Sequence, residues 1–197
     1  MNIGLYFGSF NPIHIGHLII ANFVANHTDL KQVWLVVSPQ NPLKPASTLL
    51  NEHHRLHLAR LATEDNPKLK VSSIEFKLQR PSYTIDTLTY LKERYPEHVF
   101  SVIIGSDSYQ NIHKWKSYDL LMKEFEIIVY KRPRFAVNSK VPSNHIILEA
   151  PLLDISSTFI RDEIKTGRSI KYLVPEEVRV EIENQGYYRE LKQPPQK

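Results

Sequence analysis

No cysteine occurs among the 197 residues. Disulfides, thiolate metal sites and cysteine nucleophiles are therefore excluded, and the composition fits a cytoplasmic protein. Apolar residues never run to ~20 in succession, the length a membrane-crossing helix needs, so no membrane span is expected. The N-terminus shows no basic segment leading into an apolar stretch, so no signal peptide is expected. Lysine and arginine are not gathered in blocks long enough for a nucleic-acid arm, and the formal charge is a modest +4. That balance suits a polyanionic small molecule without requiring one. Internal repeats and low-complexity segments are also missing. Residues 1–190 are expected to form one domain, with a polar tail at 191–197; a chain of this size buries roughly 70% of its unfolded surface.

Against these absences stand six short strand-like stretches, most of them apolar runs and Val71–Leu78 an alternating one, interleaved with helical patterns. Ile3–Phe7, Val33–Val37, Val71–Leu78, Val99–Ile104, Phe125–Tyr130 and His145–Leu148 read as strands. Between them, helices are expected from Leu18 to about Thr28, after an Asn51 N-cap, from Ser82 or Thr84 onward, and over Trp115–Lys123. Ser156–Lys165, stopped by Gly167, and Val178–Gln185 are the last two. Ser38–Ser47 carries Pro39, Pro42 and Pro45 and reads as an extended loop. The pattern predicts an α/β fold: a Rossmann-like, doubly wound parallel sheet with a small C-terminal helical portion. Ligands of such sheets bind beyond the carboxyl ends of the strands, where strand order reverses. If the strand ending at Ile104 lies beside the first, Gly8–His17 and Gly105–Asp107 share that crevice.

Gly8-Ser9-Phe10-Asn11-Pro12-Ile13-His14-Ile15-Gly16-His17 joins the first strand to the first helix. Gly8 allows close backbone approach, Ser9 and Phe10 offer N–H groups, and the helix start adds unpaired donors and about half a positive charge. His14 and His17 fall on one side of that turn. A lone His-x-x-His would read as two solvated histidines; the full ten-residue string argues for an anion site. Ile155-Ser156-Ser157-Thr158-Phe159-Ile160-Arg161 offers hydroxyls at a second helix start, with Arg161 four residues after Ser157 so that both can face one phosphate. Gly105-Ser106-Asp107 ends a buried strand with a carboxylate that could accept bonds from a ribose or cap the next helix. His53, His54 and His57 include an i, i+4 pair, but no third ligand is identifiable and no metal site is expected.

GSFNPIHIGH resembles the GxFxPxHxGH signature of the nucleotidylyltransferase superfamily, and the 155–161 stretch resembles its ISSTxIR motif. Ser82-Tyr83-Thr84-Ile85-Asp86-Thr87-Leu88 is similar to the SYTxDTL of bacterial nicotinate-nucleotide adenylyltransferases, and Gly105–Asp107 through Trp115 and Leu120-Leu121 follows their GxD…W…LL pattern. Ser38–Lys44 resembles their proline-rich loop. Leu43, where many relatives carry His, Arg134, where Gly is common, and His57, in place of an apolar residue, depart from the pattern. The resemblance runs from Asn2 to about Gly186.

The resemblance implies adenylyl transfer from ATP to nicotinate mononucleotide, giving deamido-NAD and pyrophosphate. It assigns His14, His17 and Arg161 to catalysis, and Gly8, Ser9, Phe10, Gly16, Gly105, Asp107, Ile155, Ser156, Ser157 and Thr158 to ATP. Lys44, Tyr83, Thr84, Asp86, Trp115 and Lys116 fall to the nicotinate nucleotide, with Trp115 stacking on the pyridine and backbone N–H groups near Thr84 and Trp115 to Lys116 holding its carboxylate. The acceptor phosphate, with a second pKa near 6, is already mostly dianionic, so no general base is needed. Mg2+ would be carried mainly by the ATP phosphates. Transfer to nicotinamide mononucleotide or phosphopantetheine is one alternative, and a non-catalytic nucleotide-binding regulator is another. A homo-oligomer is compatible with the sequence, which does not decide the matter.

Overall fold

The computed structural model describes residues 1–40, 49–133, 135–137 and 144–189. The apolar runs form strands β1 (Asn2–Gly8), β2 (Gln32–Val37), β3 (Leu69–Ser72), β4 (Val99–Gly105), β5 (Glu126–Tyr130) and β6 (His145–Leu148). They pair in parallel in the order β3-β2-β1-β4-β5-β6. Seven helices accompany them among the described residues: α1 (Ile15–His27), α2 (Glu52–Leu61), α3 (Thr84–Arg94), α4 (Ser106–Tyr109), α5 (Tyr118–Glu124), α6 (Ser157–Lys165) and α7 (Glu176–Gln185).

Strand side chains alternate between two cores. Along β5, Ile128 and Tyr130 join a cluster with Val24 of α1, Leu58 of α2, Ile160 of α6 and Ile182 of α7. Ile127 and Val129 point the other way, into a cluster with Leu88 and Leu91 of α3 and Leu121 of α5. Both faces of the sheet are thus covered, which is why the strands read as continuous apolar runs. Each fully buried aliphatic side chain contributes about 1.5–3 kcal/mol, so truncating Leu88, which is completely buried, by Leu88→Ala should cost roughly 2–5 kcal/mol.

β1 has β2 on one side and β4 on the other, so strand order reverses between β1 and β4. Gly8 and Gly105 end these two strands and open into the same crevice, as expected.

Two elements differ from expectation. The strand expected over Val71–Leu78 stops at Ser72, and Ile74–Lys77 forms a 3-10 turn. Glu75 causes the change: it is buried and accepts hydrogen bonds from Ser82 Oγ (2.8 Å) and Thr87 Oγ1 (3.0 Å), which hold the chain against the start of α3. The helix expected over Trp115–Lys123 begins only at Tyr118, because Ser117 has a left-handed φ of 53°. Trp115 instead closes a 3-10 turn over Ile112–Lys114. Lys44, Leu43, Arg134 and the 191–197 tail lie outside the described residues.

Candidate active site

A cavity of about 1,220 Å³ lies at the switch point. Every residue assigned from the two phosphate motifs and from Gly105–Asp107 lines it, together with Tyr83, Thr84, Trp115 and Lys116. Among the described candidates only Asp86 stands back from the cavity; its carboxylate pairs with Lys116 Nζ at 2.8 Å.

The loop after β1 is shaped by its packing. Gly8 is required because a Cβ there would come within 2.8 Å of the Phe10 ring. Phe10, itself buried, adopts a left-handed φ of 44° and turns the chain toward α1. His14 is the N-cap of α1 and is 5% exposed. Its ring stacks on His17 with centroids 3.7 Å apart. The His14 backbone N–H donates to His17 Nδ1 (3.3 Å), so in neutral His17 the proton sits on Nε2. Burial, and secondarily the Arg132 guanidinium, lower the His14 pKa to about 4. His14 is therefore neutral at pH 7, which avoids two stacked cations.

The second motif closes onto the first. Ser157 Oγ donates to the Pro12 carbonyl (2.9 Å) and Arg161 Nη1 donates to the Asn11 carbonyl (2.8 Å). Ser156 alone acts as a cap, accepting from the Phe159 N–H, while Thr158 accepts from Arg161 Nη2 at 3.2 Å. The hydroxyls thus have three separate tasks. Among the described residues, Ser9 Oγ and His14 Nδ1 of the cavity wall are buried without a hydrogen-bond partner, and Asp107 Oδ1 has only the Arg132 guanidinium at ion-pair distance. Unsatisfied buried groups gathered in one place are costly, and a polar ligand would complete them.

On the opposite wall the capping reading of Asp107 is not realised, and neither Thr84 nor Asp86 caps its helix. Helix α3 has Tyr83 as N-cap and no side-chain cap; the Asp86 and Thr87 N–H groups bond the Tyr83 carbonyl, while Thr84 and Ile85, at the helix start where N–H groups have no intrahelical partner, line the cavity. Gly105, not Asp107, precedes α4; a Cβ at Gly105 would collide with Asp107, Arg132 and Tyr130. Trp115 is half-buried, packs against the second core and also lines the cavity. Its N–H already donates to the Ile112 carbonyl (2.9 Å), so that donor is not available to a carboxylate.

Three charged residues carry no signature in the motifs. Arg132 lines the cavity, donates to Tyr130 Oη (3.0 Å) and has its Nε 3.4 Å from Asp107 Oδ1. Tyr130 in turn meets Tyr6, their hydroxyls 3.4 Å apart. Glu75 lines the cavity below α3 with its pKa raised, chiefly by burial. Arg55 is completely buried behind the loop. A signal for Arg55 does exist in the sequence: it shares the inward face of α2 with Ala59, four residues on. The His53, His54 and His57 cluster is an inter-helix contact instead, with His54 Nδ1 2.8 Å from Tyr187 Oη and His57 3.5 Å from Glu181.

A parallel sheet whose switch point carries paired imidazoles at one helix start and an arginine-bearing helix tied to the same loop defines a nucleotidyltransferase. Residues 5–163 match the cytidylyltransferase-like family. The chain is 50% identical over 192 residues to the "Probable nicotinate-nucleotide adenylyltransferase" of Flavobacterium psychrophilum, covering 96% of this chain and 100% of that one. Its counterpart in Cytophaga hutchinsonii is 48% identical over 190 residues, covering 95% and 98%. The chain belongs to this family, among its nicotinate-nucleotide adenylyltransferases. The fold also matches Plasmodium falciparum nicotinic acid mononucleotide adenylyltransferase complexed with NaAD, with a TM-score of 0.81 at 23% identity over 95% of this chain and 97% of that one. No helix among the described residues is long and apolar enough to cross a membrane.

Proposed function

We propose that this chain transfers the adenylyl group of ATP to nicotinate mononucleotide, forming deamido-NAD and releasing pyrophosphate. The observation that carries the reading is the closure of the 155–161 helix start onto the Asn11-Pro12 backbone, which unites both phosphate motifs in one cavity. A phosphate oxygen of the mononucleotide attacks the α-phosphorus of ATP, and the bond to the β-phosphate oxygen breaks. The acceptor is already a dianion, so the protein's work is alignment and charge stabilisation.

His17 presents its Nε2 proton toward the reacting phosphate, and the spare donors of Arg161 receive the departing pyrophosphate. Neutral His14 supplies a further contact once a phosphate oxygen or bound water meets its Nδ1. Gly8, Ser9, Phe10 and Gly16 form the cradle below the triphosphate, with Ile155–Thr158 above it. Gly105 and Asp107 face the nucleoside. The nicotinate carboxylate sits at the open N-terminus of α3, by Tyr83 and Thr84, where backbone donors and the helix dipole favour an anion. Trp115 offers its face to the pyridine, while Lys116 and Asp86 close that side and Lys44 is assigned to the mononucleotide. Magnesium, if bound, would be held mainly by the ATP phosphates and would screen their charge. Among the described residues no group of three or more His, Cys, Asp or Glu is placed to hold a metal ion. Both substrates are charged and do not cross membranes unaided, which suits a cytoplasmic enzyme of one domain.

A pyrophosphate-release assay with MgATP and, separately, nicotinate mononucleotide, nicotinamide mononucleotide and phosphopantetheine tests the reading. Turnover is expected to be fastest with the nicotinate form. Preference for either other acceptor would overturn the substrate assignment, and no release with any would leave a nucleotide-binding regulator.

A further inference from the structure

Arg55 is the largest completely buried side chain in the molecule's described portion, and it makes no salt bridge there. Its guanidinium instead donates to four backbone carbonyls. Nε reaches Leu50 O (2.8 Å), Nη1 reaches Ser9 O (2.6 Å) and Ser38 O (2.8 Å), and Nη2 reaches Pro39 O (3.0 Å). These carbonyls belong to three separate segments: the loop after β1, the exit from β2 and the approach to α2. A buried guanidinium satisfied by dipoles alone is expensive. Burial lowers its pKa, but from a starting point high enough that the charge persists.

The contact with Ser9 has a stereochemical consequence. In a trans peptide the carbonyl of one residue and the N–H of the next point in opposite directions. Holding Ser9 O against Arg55 therefore turns the Phe10 N–H to the other side of the loop. The preceding peptide is set the same way, because Gly8 O accepts from the Ser38 N–H (2.9 Å) and directs the Ser9 N–H oppositely. Further along, Asn11 O and Pro12 O are held by Arg161 and Ser157. Asn11 Oδ1 accepts from Leu50 N (3.1 Å), and Leu50 O is itself an Arg55 acceptor. With the Gly8 and Ser9 carbonyls drawn to Ser38 and Arg55, the loop offers the consecutive N–H groups of Ser9 and Phe10, the arrangement of an anion-binding nest.

We propose that Arg55 is a positioning residue for the ATP phosphates: from behind the loop it fixes the Ser9–Phe10 peptide so that its N–H faces the triphosphate. It touches no substrate. The inference rests on the reading that this loop binds ATP, and it adds a residue to which neither the sequence motifs nor the cavity lining point, since Arg55 does not line the cavity. The fork geometry matters as much as the charge. A lysine has one nitrogen and cannot reach three segments at once.

The test is steady-state kinetics on wild type, Arg55→Lys and Arg55→Met, varying ATP and nicotinate mononucleotide separately, with a thermal melt of each protein. Both variants should lose about 10- to 100-fold in kcat/KM for ATP, the scale of one or two charge-assisted hydrogen bonds. KM for the mononucleotide should move less than about threefold, since that subsite lies across the cavity. Should Arg55→Met fail to fold, Arg55→Lys, which keeps the charge and most of the volume, carries the comparison alone. A folded variant with ATP parameters near wild type would overturn the inference, and so would equal losses for both substrates, which would mark Arg55 as a general stabiliser. Wild-type enzyme that does not use ATP at all would instead overturn the functional reading beneath it.

Discussion

Arg161 and Ser157 reach back across 150 and 145 residues to hold the Asn11 and Pro12 carbonyls; on the wall proposed for the mononucleotide, Lys116 lines the cavity and pairs with Asp86 behind it, both nearly half exposed. On the phosphate side His14 is buried and stacked on His17, and the half-buried Ser157 and Arg161 are tied to the opposite loop before any ligand arrives. On the mononucleotide side, the Lys116 ammonium lies 4.9 Å over the Tyr83 ring and bonds Asp86 in open solvent. Charge develops during the reaction only on the phosphates. Donors fixed in advance are worth most there, because they need no reorganisation in the transition state. The pyridine end has only to be recognised, and softer contacts suffice.

His17→Ala should break the contrast most severely. Turnover is expected to fall by about 10²-fold or more, the scale of one lost donor to developing charge, with the melting temperature little changed. Pyrophosphate release near the wild-type rate would remove His17 from the mechanism. Next comes the pH response of His14. Its folded pKa of about 4 lies below the ordinary 6.5, so between those values the unfolded chain binds a proton that the folded chain does not. Stability is therefore complete above pH 6.5 and declines as pH falls toward 4, by roughly 3 kcal/mol in all. Urea melts across that range should show the decline in wild type and a shallower one in His14→Gln; parallel curves would contradict the burial argument.

Smaller effects belong to the other side. Trp115→Ala should raise KM for the mononucleotide about tenfold, as expected for one lost base-stacking surface, with KM for ATP within about twofold. Equal weakening of both substrates would make Trp115 purely a packing residue. Lys116→Ala should cost least, under ~1 kcal/mol of stability for an exposed ion pair. A larger loss in a denaturant melt would show that the mononucleotide side is as firmly built as its counterpart.

The same division governs how much of the molecule is legible in its sequence. The inner strands β1, β2, β4 and β5 are legible because they are buried on both faces and read as apolar runs, whereas the edge strands β3 and β6 are only partly buried. The phosphate motifs are legible because packing alone seldom demands small residues and imidazoles at such fixed spacing. Glu75 is hidden by its setting: Val71–Leu78 alternates like a strand, and nothing local announces that the carboxylate turns inward to Ser82 and Thr87. The late start of α5 is equally silent, since it depends on a left-handed serine rather than a glycine. Arg132 stands in the expected strand-to-loop exit, but its role follows from Tyr130, Asp107 and His14 meeting it in space. Charged residues that act through tertiary contacts leave little trace in local pattern.

The reach from Arg161 to Asn11 also sets the order in which the enzyme comes into being. A growing chain presents the loop at Asn11 and Pro12 first and the 155–161 helix only some 145 residues later. Most of the strands can pair in the interval, since domains begin to organise as they emerge. Throughout that time Asn11 O and Pro12 O lack the donors they hold in the finished molecule. A chain that stops short of residue 157 would thus keep much of the sheet but not the assembled phosphate site, and activity would arrive only once the 155–161 segment had docked.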